Sequence, residues 1–169
     1  MDFKTTINLT QKDYIQFVFF HQRKRKIWEP VIVTVSSFIL FVILSKGDIM
    51  LSCLAAMIVG LICLPIFTMC LFLQCKRLWK KSAPIMRDAI ETIFSDVGVY
   101  QKSKLGTLDL TFDNIFKVSE TKNAFYVYIS SIQAAIIPKR CFDRTEDIQA
   151  IRALFLNNMD AKKLSLMKV

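Results

Sequence analysis

The sequence predicts an α+β membrane protein: a two-helix transmembrane hairpin, then a small antiparallel β-sheet or partial barrel with a C-terminal helix. Three observations carry that reading. Two long apolar runs lie between Val31 and Leu73, with Lys46 and Asp48 as the only charged residues between those limits. Basic clusters flank the pair on both outer sides, and after Pro84 the pattern becomes short alternating segments closed by one amphipathic stretch. The bulk figures agree. The chain has 169 residues, 53% of them hydrophobic, a net charge of +9 and a mean hydropathy of +0.38. That is too apolar for an ordinary small soluble domain, and 4 Gly and 4 Pro are too few for low-complexity linkers.

Residues 1–26 read as an N-terminal strand and an amphipathic interfacial helix. Phe3, Ile7 and Leu9 alternate with polar neighbours, a short strand signal. Thr10 and Asp13 form an acidic variant of the capping box, in which side chains satisfy the first free N–H groups of a helix. Tyr14, Phe17, Val18 and His21 then recur at helical spacing, predicting a helix from about Gln11 to Lys26 that turns into the bilayer near Pro30. The aromatic stripe is equally suited to packing on the downstream domain.

Residues 27–75 read as the hairpin, with spans of about 28–45 and 49–73. The second run is about 25 residues, or about 37 Å as a helix, enough for a hydrocarbon core of about 30 Å. The first is shorter and is extended by Ile27 and Trp28. A 26-residue leader and the lack of an A-x-A-like site argue against a cleaved signal peptide. Pro65 predicts a kink, and Ala55, Ala56 and Gly60 form a small-residue patch where the first helix can approach. No Asp, Glu, Lys, Arg or His lies between Val31 and Leu44 or between Ile49 and Leu73, so a proton or ion pathway has no candidate inside those stretches.

Charge sets orientation. Residues 1–84 carry net +7 and residues 85–169 net +2. Arg23, Lys24, Arg25 and Lys26 precede the first span, and Lys76, Arg77, Lys80 and Lys81 follow the second in the basic linker 76–84. The positive-inside rule places both termini in the cytoplasm. With Trp28 and Trp79, these cations are the expected membrane-interface anchors. The partners implied are the lipid bilayer and either a partner protein or a second copy, with no nucleic acid, because the basic runs adjoin apolar spans.

Residues 85–169 read as a cytosolic β-rich domain with a terminal helix. Ala89–Ser95, Val99–Lys102 and Thr107–Phe112 form a meander with turns at Asp96-Val97-Gly98 and Leu105-Gly106. Ile115–Thr121 and Ala124–Ser130 flank a tight turn at Lys122-Asn123, and Ile132–Ile137 ends at Pro138. Phe125-Tyr126-Val127-Tyr128-Ile129 is apolar or aromatic on both faces, so something must cover its outer side. Asp143 and Glu146 predict a helix start, Ile148, Ile151, Leu154 and Phe155 its buried face, and Asn157-Asn158 its end before a short basic tail. Six or so strands and one helix share a core if the helix plugs a partial barrel.

The run Ile115–Ser130 followed by Ala135–Phe142 resembles the YcxB-like family of bacterial membrane proteins, and the order of parts is similar along nearly the whole chain. The resemblance implies a pleckstrin-homology-like fold for the cytosolic domain. It also brings an association with envelope stress and with self-protection against membrane-active bacteriocins.

Pro138-Lys139-Arg140 is the candidate contact for a headgroup or other anionic ligand, since Arg offers a planar fork of donors and Lys a mobile charge. The bland reading, favoured here, pairs Lys139 with Glu120 and turns Arg140 onto backbone carbonyls. Catalysis has no constellation. His21 sits among aromatics beside a basic run, Asp109, Asp113 and Glu120 lie on different segments, and Cys141 reads as an apolar filler. Five cysteines without a C-x-x-C pair, and a single histidine, suggest neither a metal site nor a disulfide framework. No cofactor is expected. The function implied is a non-catalytic inner-membrane protein tethering a binding domain to the cytoplasmic face. Self-immunity or envelope-stress resistance is the alternative, and an accessory role in a transporter a further one.

Overall fold

The computed structural model describes residues 3–46, 48–86, 88–104 and 106–166, without the side chains of 23–27, 30 and 82–86. Gly47 of the hairpin tip, Leu105 of the second turn and residues 167–169 of the tail lie outside the described residues. The chain is α+β and divides into two compact units, Met1–Phe17 with Trp79–Val169, and Val18–Leu78.

The first unit holds two four-stranded sheets. One runs in the order β1 (Phe3–Ile7), β2 (Ile90–Phe94), β3 (Gly98–Ser103), β4 (Gly106–Thr111), antiparallel throughout. The other runs β7 (Ala134–Pro138), β6 (Ala124–Tyr128), β5 (Lys117–Glu120), β8 (Leu164–Ser165), with β8 parallel to β5. The expected single sheet is therefore two. The N-terminal strand is also built into the β-rich unit, with Phe3 opposite Phe94 and Ile7 opposite Ile90. Its apolar face explains this, since Ile7 is completely buried and pairing with β2 satisfies one side of its backbone. The expected basic tail contributes the short β8, because Leu164 and Leu166 pack on the core.

Each strand sends alternate side chains inward, among them Ile7, Phe94, Val99, Leu110, Val118, Val127 and Ile137. α4 (Thr145–Asn158) closes the core from one side. Its Phe155 lies 6.5 Å from Phe94 of the first sheet and 6.1 Å from Phe125 of the second, ring centre to ring centre. It therefore binds both sheets to one helix. α4 starts one residue after the D-x-x-E signal suggests: Arg144 precedes the helix, and no side chain caps it. At its end Met159 is extended rather than left-handed, and Asn158 donates to the Leu154 carbonyl.

β6 is buried along all five residues. Phe125 and Val127 enter the core, and the opposite face is covered by α1 (Gln11–His21), whose Phe17 ring lies 5.3 Å from Tyr126 and 6.2 Å from Tyr128. The aromatic stripe thus packs on the domain over this part of α1. α1 opens with the capping box expected of it: the Thr10 amide and hydroxyl donate to Asp13 Oδ2 at 2.8 and 2.7 Å, and the Asp13 amide donates back to Thr10 Oγ1.

α1 ends at His21, earlier than expected, and Gln22 alone separates it from α2 (Arg23–Leu44). Pro30 lies inside α2 and is not the turn: the helix continues through it despite the missing N–H and the crowding of the carbonyl four residues earlier. α3 (Ile49–Met86) runs without interruption past Pro65. In the second unit α2 and α3 meet where Gly60 faces Thr34: a Cβ at Gly60 would stand 2.6 Å from Thr34 Oγ1. This is the small-residue approach that the Ala55–Gly60 patch suggests. The connection is tied by Asp48, whose carboxylate accepts from the Leu51 amide, and by Ser52, which donates to the Asp48 carbonyl at 2.6 Å. Ile49–Lys81 is long and apolar enough to cross a membrane, whereas the apolar stretch Val31–Leu44 is shorter.

Candidate functional site

Three segments distant in sequence converge at one end of the β-rich unit: the start of α1, the β5–β6 turn, and the 3-10 turn Lys139–Cys141 that follows β7. They enclose a cleft of about 340 Å³ lined by Thr10, Lys12, Asp13, Gln16, Lys122, Asn123, Lys139 and Arg140. Backbone bonds set the walls. The Thr121 amide donates to the Ala124 carbonyl at 2.8 Å, closing the turn, and the Lys139 amide donates to the Asn123 carbonyl at 2.8 Å, tying that turn to the chain after β7.

The two expected ligand cations are already engaged. Lys139 Nζ lies 2.6 Å from Oε1 of Glu120 and 5.0 Å above the Phe125 ring. Glu120 has no exposed side-chain surface, and it also takes Arg152 of α4 at 2.5 Å through NH2 and 3.1 Å through Nε. One buried carboxylate therefore joins β5, the segment after β7, and α4. A charge removed from water needs such pairing. Arg140 NH2 donates to the Asn8 carbonyl at 2.7 Å and to Asp13 Oδ2. The expected pairing of Lys139 with Glu120 and of Arg140 with a backbone carbonyl is present, with Asp13 as a further partner of Arg140. Sequence reasoning missed the partners Asp13 and Arg152, which lie 127 and 32 residues away from Arg140 and Glu120.

These contacts tune the charges. Burial pushes the Asp13 carboxyl up, but the Arg140 guanidinium and the two Thr10 donors outweigh it and hold the group below its ordinary 3.8. Arg140 and Arg152 are held charged above their ordinary value, chiefly by hydrogen bonds to Asp13 and Glu120. Burial raises the Tyr126 phenol, while a bond with Thr121 pulls the other way.

Lys12 and Lys122, which the sequence did not single out, are exposed at the cleft, and among the described residues neither has an ion-pair partner. Between them Asn123 Nδ2 donates to Gln16 Oε1 at 3.3 Å.

The expected interface anchors are distributed differently. Arg23, Lys24, Arg25 and Lys26 open α2, and their side chains lie outside the described residues. Trp28 is exposed, as are Arg77, Lys80 and Lys81 on α3, and Lys76 Nζ stands 4.6 Å over the Phe72 ring. Trp79 departs from expectation. It is buried with its ring 5.9 Å from Tyr14, the first residue of the aromatic stripe of α1, which it helps to cover.

Residues 94–155 match the family model described as YcxB-like protein. The match runs from the end of β2 to Phe155 and contains Glu120, Lys139, Arg140 and Arg152, but not the α1 side of the cleft. The chain is 32% identical over 98 residues to a protein of Bacillus subtilis (strain 168) named Uncharacterized protein YcxB, covering 58% of this chain and 52% of the relative. The chain thus spans about half the length of the curated relative it matches. No solved structure matches the chain.

Proposed function

Residues 94–155 are a YcxB-like region, and from that premise we propose that the chain is a non-catalytic protein of the bacterial inner membrane. Its hairpin of two spans, residues 27–75, tethers a cytosolic binding domain to the cytoplasmic face, with both termini on that side. The observation that carries this reading is the surface of α3. Leu61 is 78% exposed, Met50 77% and Ile49 65%, and only 11% of the most apolar stretch of the helix is buried. In water such a surface is an aggregation liability, and in hydrocarbon it is at rest. α2 supports a second span: Ile32, Ile39, Leu40, Ile43 and Leu44 are all exposed, and its intrahelical bonds satisfy the backbone. The non-catalytic reading is supported by the ion pairs that occupy Glu120, Asp13, Lys139 and Arg140, which leave no poised acid or base among them.

The test is cysteine labelling in a chain freed of its own 5 cysteines. A single cysteine placed at Lys46 should react with a membrane-impermeant maleimide in intact cells. One placed at Lys162 should react only after permeabilisation. Labelling of the Lys162 position in intact cells would overturn the orientation, and labelling of neither position under any condition short of detergent would overturn the tip.

A further inference from the structure

We propose that the basic cleft between α1, the β5–β6 turn and the turn after β7 binds a phosphate ester, either a free one or the phosphate of a lipid headgroup. This deepens the reading of the domain as a binding module and does not depend on how the hairpin crosses the membrane.

The argument starts from what each cation is free to do. Four cations line the cleft against one carboxylate, Asp13, which is itself held by Arg140. Lys139 and Arg140 are anchored to buried acids, so they form walls that do not collapse into the opening. Lys12 and Lys122 supply the surplus charge, and their ammonium groups face water without an ion-pair partner among the described residues. They come from segments 110 residues apart, and the hydrogen bond from Asn123 to Gln16 holds those segments together. Gln16 accepts in that bond, so its own amide hydrogens can still be donated.

The donor set selects the anion. Two strongly hydrated ammonium charges with a neutral amide, reaching in from different segments, suit a compact tetrahedral anion whose oxygens point in several directions, as those of a phosphate mono- or diester do and those of a planar carboxylate do not. A volume of about 340 Å³ accommodates a phosphate with a glycerol-sized substituent. Among the described residues the lining has no aromatic ring on which a base would stack, which argues against single-stranded nucleic acid.

The experiment uses the full chain in phosphatidylcholine nanodiscs and follows 31P line broadening of two soluble probes. One is glycerol 3-phosphate, a free monoester. The other is glycerophosphoglycerol, the diester left when phosphatidylglycerol loses its acyl chains. At least one should bind, and the Lys12→Gln/Lys122→Gln double variant should weaken it by about tenfold, the combined loss of two exposed charge contacts. Lys102→Gln/Lys162→Gln, which removes the same charge away from the cleft, should change binding by less than about twofold. Tighter binding of the monoester assigns the cleft to free phosphates, and tighter binding of the diester to headgroups. The proposal fails if neither probe broadens, or if the cleft variant binds as tightly as the wild type.

Discussion

The two units obey opposite rules of burial. In the β-rich unit the polar groups that leave water find partners far away in sequence: Glu120 takes Lys139 and Arg152, and Asp13 takes Arg140. Its large apolar side chains are mostly hidden, with Phe125 and Phe155 fully so. In the helical unit the polar bonds are local, such as Ser37 to the Val33 carbonyl and Ser52 to the Asp48 carbonyl, while the apolar side chains face outward. On the proposed membrane reading, this is the contrast expected of one chain built for two solvents. Long-range pairing pays off where water competes, and self-contained helices are needed where nothing outside can hydrogen-bond.

Truncation should separate the units most strongly. Phe155→Ala removes the ring that links both sheets and should cost about 3–5 kcal/mol in denaturant unfolding of the β-rich unit. Leu61→Ala, at a site 78% exposed, should leave that transition unmoved. Next comes the buried carboxylate. Glu120→Gln leaves Lys139 and Arg152 without a charged partner and should cost about 3 kcal/mol by the same measurement, with α4 exchanging its amide hydrogens faster.

Two glycines sharpen the comparison. A Cβ at Gly98 would fall 2.1 Å from the Leu110 carbonyl oxygen and 2.8 Å from Thr111 Cα, backbone atoms of the paired strand that cannot yield. Gly98→Ala should therefore destabilise the domain by about 3 kcal/mol. At Gly60 the near atom is the Thr34 hydroxyl, which can rotate, so Gly60→Ala should cost less than about 1 kcal/mol in helix-pair stability in detergent. A comparably small effect is the pH dependence of the α1 anchor. Because Arg140 and Thr10 lower the Asp13 pKa, the stabilisation is complete above the unfolded value of 3.8 and is lost as pH falls through the folded value. Asp13→Asn should therefore be less stable than wild type by about 1 kcal/mol at neutral pH, the difference shrinking as the pH falls through the folded-state value.

What the sequence made legible follows the same division. The Thr10–Asp13 box, the helical stripe of α1 and the apolar runs are local patterns, and the structure carries them. The coverage of β6 was legible because Tyr126 and Tyr128 alternate with core residues, although its cover, Phe17, lies 109 residues before Tyr126. Lys139 with Glu120 was foreseen because a strand-end lysine near a hairpin acid has a short way to go. Arg140 with Asp13, β1 with β2, and the shared cleft of Lys12 and Lys122 were not, since each depends on loop closures that no local pattern records. Trp79 misled for a related reason: a tryptophan beside lysines reads as interfacial, and only the placement of Tyr14 reveals the surface that buries it.

The central claim is a hairpin with its domain on the cytoplasmic side, and limited trypsin digestion of oriented membrane vesicles tests it most directly. In inside-out vesicles cleavage at the basic linker that includes Lys80 and Lys81 should remove the domain and leave a protected fragment of about residues 27–75. In right-side-out vesicles the domain should survive intact. Loss of the domain from right-side-out vesicles, or the absence of any protected fragment from inside-out ones, would contradict the account.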